Sequence, residues 1–243
     1  MVQIPERGDP TLDAINAAIE AEQEPYASKN IGFGEIGHEC SRYLWYKINL
    51  NEPEIFNADT LRIFRNGHMD ERSMAEDLRK VEGIVLHTHD PERENKQYKL
   101  DALGGRFTGR LDGAILGLKQ APKTWHVYEH KSVNDKKFDE IQKIKDKKGE
   151  KETLKNWNTV YYAQAQSCMK YAELAKHYMS VSTPGLRRVT SIRTDYDAEY
   201  AQALEDKADR IINTKSAPER IGDSTWYACK WCRFYERCHK IDK

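Results

Sequence analysis

GRLDGAILGLKQAPKTWHVYEHKS, residues 109–132, is the stretch on which the fold turns. Two short apolar runs flank a glycine- and proline-punctuated centre, the pattern of two neighbouring β-strands. Period-two alternation puts Arg110 and Asp112 on one face of the first strand and Trp125, Val127, Glu129 and Lys131 on one face of the second. Trp125 and Val127 can enter a core while Glu129 and Lys131 emerge near the strand's end, which mounts a site on a rigid element. An aspartate followed after sixteen intervening residues by Glu-x-Lys places two hard oxygen ligands around a divalent ion. Lys131 is then left beside a phosphate or an attacking water. Taken alone, Glu-x-Lys also reads as a surface charge pair, and Asp112 as a turn residue bonded to nearby amides.

Working outward, a strand is expected at residues 84–88 and another begins near Lys99. An amphipathic helix over residues 11–24 carries Leu12, Ile15 and Ile19, and Pro25 and the glycines of NIGFGEIG interrupt it. A second helix starts near His38 with Cys40, Arg42, Leu44 and Trp45. Helices over 59–66 and 68–82 are separated at Gly67, so His68 opens the latter, where an imidazole can complete an ion's coordination shell or serve as a terminal polar residue. Glu71 and Glu76 read as acids favoured near a helix start. Downstream, the lysine-rich residues 132–153 form a loop or short exposed helix. A long helix over 154–179 follows, its stripe running through Trp157, Tyr161, Gln164, Cys168, Tyr171, Ala175 and Tyr178. Gln164 on that stripe needs a partner, either a site ligand or a structural one linking helix to sheet, and Gln166 lies off the stripe. A strand at 187–193 and a helix at 197–213, with Tyr200, Leu204, Ala208 and Ile211 facing inward, complete the pattern. Helices on both sides of a small central sheet give an α/β or α+β fold in one domain. It divides into an N-terminal helical part (1–66), a core (67–193) and a C-terminal segment (194–243).

The 243 residues carry 39 basic and 39 acidic side chains, so net charge gives no support to nucleic-acid binding. Locally, residues 131–155 hold nine lysines against six acids, a patch that suits phosphate or a solvated face. The sequence has no apolar run of bilayer-spanning length, and MVQIPERGDP lacks the basic and apolar regions of a signal peptide, so a cytoplasmic location is expected. Five cysteines in such a chain point to metal chemistry. Cys40 stands near the start and Cys229, Cys232 and Cys238 close the chain as C-x2-C-x5-C, with Cys168 apart. Four thiolates suit a soft metal or an iron–sulfur centre, and zinc is the structural alternative.

Taken together, ECSRYLWY (39–46), NGHMDER (66–72), GRLDGA, YEHKS, YYAQAQSCMKY (161–171) and ACKWCRFYERCHK (228–240) resemble the RecB-like branch of the PD-(D/E)XK nuclease superfamily, with its iron–sulfur exonucleases. The resemblance spans residues 37–238 and includes the CRISPR-associated RecB-like nucleases and the nuclease domain of AddB. It implies a restriction-endonuclease-like core with a central mixed sheet flanked by helices, plus a helical cap stapled by a four-iron, four-sulfur cluster on Cys40, Cys229, Cys232 and Cys238. It also implies Mg2+- or Mn2+-dependent cleavage of DNA from an end, often of single strands. His68, Asp112 and Glu129 would be the metal ligands, Lys131 would stabilise phosphate charge and Gln164 would align substrate or ligands. One departure stands out: the tyrosine of the Q-x-x-x-Y pattern falls on Cys168, with Tyr171 a turn later.

No G-x-x-x-x-G-K-[ST] loop is present, so unwinding needs a separate ATPase. A helicase or CRISPR-adaptation protein is therefore an expected partner, in phage DNA processing or host repair, and a homo-oligomer is compatible with the sequence. Two non-catalytic readings remain open at this level: a DNA-binding adaptor that keeps a nuclease fold, and a structural metal protein.

Overall fold

The computed structural model describes residues 8–93 and 96–241. Helix α1 (Pro10–Ala21) starts where the Asp9 carboxylate accepts from the Thr11 and Leu12 amides and proline occupies the first turn. After the short strand β1 (Ile31–Gly32), helix α2 (Ser41–Leu50) is capped by Cys40, whose sulfur accepts from Tyr43 N–H, and ends at a left-handed Asn51. Helix α3 (Ala58–Arg79) begins at an Asn57 cap. It runs without a break through Gly67, so the two helices expected from the sequence are one, and His68 sits in mid-helix. Gly67 costs the helix about 1 kcal/mol relative to alanine, too little to stop it.

Strands β2 (Val85–His87), β3 (Lys99–Ala102), β4 (Phe107–Arg110), β5 (Gly113–Leu116) and β6 (His126–Ser132) follow. The expected strand through Arg110 and Asp112 is thus two strands that enter different sheets: β4 pairs with β1 and β3, and β5 pairs with β2 and β6. Asp112 lies at the crossing point, and Trp125 falls just before β6. Gly109 is required here, because a Cβ would stand 2.2 Å from the Phe33 ring.

Residues 132–153 are neither a loop nor a short helix. They hold helix α4 (Asp135–Lys148), capped by Asn134, and the start of α5 (Glu150–Trp157). The helix expected over 154–179 is also divided: α5 gives way at Asn158, whose side chain caps α6 (Thr159–Tyr171). The next stretch, KHYMSVS, is strand β7 (Lys176–Ser182). Its small and aromatic residues fit a helical stripe and a buried strand equally well, and burial on both faces decides for the strand. Strand β8 (Val189–Asp195), helix α7 (Ala198–Asn213) and the short α8 (Tyr227–Lys230) complete the chain.

The larger sheet has the order β2-β5-β6-β7-β8, parallel between β6 and β7 and antiparallel elsewhere. A parallel pair needs a crossover, and α4, α5 and α6 supply it. Beneath both sheets Phe33, Phe107, Val127, Cys168, Met169, Leu204 and Ile211 form one core. The α4–α5 side is packed by Phe138, Ile141, Leu154, Met179 and Ile192, and the α3 side by Ala75, Leu78, Leu86, Ile115 and Tyr128. The mixed α/β architecture with helices around a central sheet is as the sequence predicts. Among the described residues no helix is long and apolar enough to cross a membrane.

Candidate active site

Strand periodicity dictates that Glu129 and Lys131 share one face of β6 while His130 points to the other. Asp112 reaches the same face from the crossing point, and its Oδ2 accepts the His130 backbone N–H at 2.9 Å. Helix α3 passes in front with a 3.6-residue repeat, so His68, Glu71, Arg72, Ala75 and Arg79 line one wall of a cleft of about 940 Å³. Tyr161 and Gln164 of α6 and Arg110 of β4 line it as well. All five catalytic and metal-site residues read from the sequence, His68, Asp112, Glu129, Lys131 and Gln164, meet there.

Glu129 is buried, 2% exposed, and its Oε1 accepts from Gln164 Nε2 at 2.9 Å and from the Lys131 ammonium. Lys131 also lies over the Tyr161 ring, 5.2 Å from its centroid. Burial drives the Asp112 carboxyl well above the ordinary carboxylate range, and the Glu129 and Glu71 charges push it further against the pull of Lys131. Glu71 is raised for the same reasons, by burial and then by Glu129, with His68 and Lys131 opposing. Burial would lower the Lys131 ammonium, but Glu129 and Asp112 outweigh it and hold it above its ordinary value. Glu71, Asp112 and Glu129 thus gather around Lys131 in a partly desolvated part of the cleft, with Arg72, Arg79 and Arg110 along its walls. Among the described residues no three His, Cys, Asp or Glu side chains already converge as the ligand set of an ion.

The sequence reading takes Glu71 only as an acid favoured near a helix start and passes over Arg72, yet both line the cleft. With α3 continuous, their spacing of three and four from His68 is the signal that puts them in the cleft. Gln166, off the expected stripe, is fully buried: it donates to Asp195 O and accepts from Asp197 N–H, at 2.9 and 2.8 Å. It is the structural glutamine, and Gln164 the one that reaches the cleft. Cys168 does not line the cleft. It is 1% exposed in the core behind it, and burial, reinforced by the Glu129 and Asp112 charges, pushes its thiol up. Tyr171, one turn on, packs on Phe33 and Phe107.

This architecture recurs in a known enzyme. The crystal structure of an alkaline exonuclease, LHK-Exo from Laribacter hongkongensis, superposes on 82% of this chain and 90% of its own at a TM-score of 0.51 and 13% identity. The chain shares its fold with that exonuclease. LHK-Exo in complex with dAMP superposes on 76% of this chain and 86% of its own, at a TM-score of 0.50 and 14% identity. A structure of SSO0001 aligns over 96% of this chain and 98% of its own at a TM-score of 0.47 and 15% identity. No protein-family model and no curated protein sequence matches the chain.

Away from the cleft, the α2 region meets the C-terminal segment that holds α8. Cys40, Cys229 and Cys232 line a second cavity of about 310 Å³ with His38, Tyr43 and Trp226. Burial raises the Cys229 thiol, and the Cys40, Cys238 and Cys232 charges add to it, so Cys238 is within electrostatic reach. Burial also raises Cys232, the Phe234 N–H draws it back, and Cys40 and Cys238 raise it again. All four are free thiols of intermediate exposure. Around them Arg42 donates to Pro218 O at 2.9 Å, Trp45 to Thr214 O at 3.1 Å, and Arg233 pairs with Glu54 at 3.1 Å. Phe234, 2% exposed, packs 5.5 Å from both the Tyr43 and Tyr46 rings.

Proposed function

We propose that this protein is a Mg2+- or Mn2+-dependent deoxyribonuclease of the RecB-like iron–sulfur kind, which removes nucleotides from DNA ends and favours single strands. The observation that carries this is the cleft itself: Asp112, Glu129 and Glu71 crowd one lysine on an exonuclease-like fold. His68, Asp112 and Glu129 would hold the ion, which when bound supplies an acidified water and offsets charge on the scissile phosphate. The fit rests on the donor set: Asp112 and Glu129 present hard carboxylate oxygens on one face of the sheet, with the His68 imidazole on the facing wall of the same cleft.

The chain's own groups do the rest. Lys131 stays protonated at neutral pH and stands where negative charge develops on the phosphate. Gln164 fixes the Glu129 carboxylate by its 2.9 Å bond, so that acid is oriented before substrate arrives. Arg72 and Arg110, which form no ion pair among the described residues, offer forked donors to phosphates along the cleft. Tyr161 gives a base a face to stack on.

At the other site, Cys40, Cys229, Cys232 and Cys238 would hold a four-iron, four-sulfur cluster, with zinc as the smaller alternative. Four thiols brought together from two distant segments suit a soft cation, and the cavity lined by three of them has room for a multi-atom centre. Its role is to staple α2 to the C-terminal segment.

The test incubates anaerobically purified protein with end-labelled single-stranded, duplex and circular DNA, with and without Mn2+. Mn2+-dependent release of label from linear single strands, with circles resistant, is the expected result. Equal cleavage of circles would remove the end requirement. Metal-dependent DNA binding without cleavage of any substrate would instead assign an adaptor that keeps a nuclease fold.

A further inference from the structure

Helix α3 brings His68, Glu71 and Arg72 to the cleft, and one buried side chain on it bonds to residues beyond the helix. Asp70 is 5% exposed. Its Oδ2 accepts the Ser132 hydroxyl at 2.6 Å, and its Oδ1 accepts the Gly185 N–H at 3.0 Å. Ser132 is the last residue of β6, directly after Lys131, and is in register with Ser182 of β7. Gly185 sits in the tight turn Pro184–Leu186 that leaves β7, at a φ of 74°. No lysine or arginine pairs with Asp70 among the described residues, so the carboxylate is buried against neutral donors only. That is an unfavourable way to fill a core position unless the geometry itself is needed.

We propose that Asp70 is a positioning residue that latches α3 to the ends of β6 and β7 and so sets His68 and Glu71 across from Asp112 and Glu129. The inference rests on the metal-site reading above. An α-helix turns about 100° per residue, so Asp70 lies about 200° around the axis from His68. One face grips the sheet while the other lines the cleft. Two bonds to two separate strand ends fix both the rotation and the axial position of the helix. A small rotation about the axis would move His68 and Glu71 together and leave Asp112 and Glu129 where the sheet holds them.

The experiment measures Mn2+ binding by the electron paramagnetic resonance signal of the free ion, alongside cleavage of linear single-stranded DNA. Asp70→Ala should weaken Mn2+ binding about tenfold and lower kcat about 10- to 100-fold, with KM for DNA within about twofold. Asp70→Asn should stay within about threefold of the native protein, because its amide oxygen can still accept from Gly185 and its NH2 can donate to Ser132. Ser132→Ala should show about a threefold loss of Mn2+ affinity and serves where Asp70→Ala does not fold. In a His68→Ala background, Asp70→Ala should add little, since both act on one ligand. Unchanged Mn2+ affinity in Asp70→Ala or Ser132→Ala, or losses that simply multiply with His68→Ala, would overturn the latch. Mn2+ binding with no DNA cleavage by the native protein would remove the nuclease reading, and the Mn2+ comparison would still decide the latch.

Discussion

Lys131→Met isolates the electrostatics of the cleft, because it keeps the aliphatic stem and deletes the charge. Glu129 is 2% exposed and Asp112 is driven up by burial and by its acidic neighbours, so Lys131 is their main counter-charge. Removing one partner of a buried ion pair costs about 3–5 kcal/mol. The Lys131 side chain is 22% exposed and Glu129's 3%, which places the expectation near the lower end, about 3 kcal/mol. In a chain of this size that is a fall in Tm of about 6–12 °C. Asp112 binds its proton more tightly in the folded than in the unfolded state, so metal-free stability falls as pH rises from the ordinary carboxylate range through its raised value. The variant should therefore lose most at pH 8 in EDTA and least near pH 5. Mn2+ at about 100 times its dissociation constant restores about 2.7 kcal/mol and offsets most of the loss. Thermal unfolding of anaerobically prepared protein across this pH range, in EDTA and in Mn2+, is the assay. A variant within about 0.5 kcal/mol of the native protein at pH 8 in EDTA would refute the charge argument.

The two glutamines of α6 should separate function from stability. Gln164→Leu removes a donor to Glu129 and should lower kcat about tenfold or more with a change in Tm of a few degrees. Gln166→Leu breaks two hydrogen bonds from a buried side chain to the backbone and should cost about 2–4 kcal/mol in urea unfolding, with kcat per folded molecule unchanged. Cys40→Ser should abolish the visible absorption of an iron–sulfur cluster and expose the C-terminal segment to proteolysis, leaving far-ultraviolet circular dichroism of the core near native. Undiminished absorption in that variant would exclude Cys40 as a ligand.

The residues of the cleft were legible because they sit on strands and at the ends of glycine-marked runs. Asp112, Glu129 and Lys131 follow from period-two alternation and a two-strand reading, even though β4 and β5 proved to belong to different sheets. Gln164 followed from a polar residue on an apolar stripe. The errors came where local signals carry little energy. Gly67 looked like a boundary, yet α3 is held by tertiary packing of Ala75 and Leu78 and by the Asp70 latch, which outweigh its propensity. KHYMSVS looked helical because Tyr171, Ala175 and Tyr178 keep a helical spacing, and its partners in β6 and β8 are far away in sequence. The other break in the expected 154–179 helix, between α5 and α6, has a local cue in Asn158, which ends one helix and caps the next. The pairing of Cys40 with the C-terminal cysteines is a long-range juxtaposition that spacing alone leaves open. Contacts such as Arg42 to Pro218 and Tyr43 to Phe234 bring those segments together in the fold.

The most direct measurement is nucleotide release from end-labelled linear DNA by the native protein, Asp112→Asn and Glu129→Gln, each with Mn2+ and with EDTA, under anaerobic conditions. The account predicts Mn2+-dependent release by the native protein, none in EDTA, and a loss of at least about a thousandfold in both variants with their folds intact. Release that persists in either variant, or in EDTA, would contradict it.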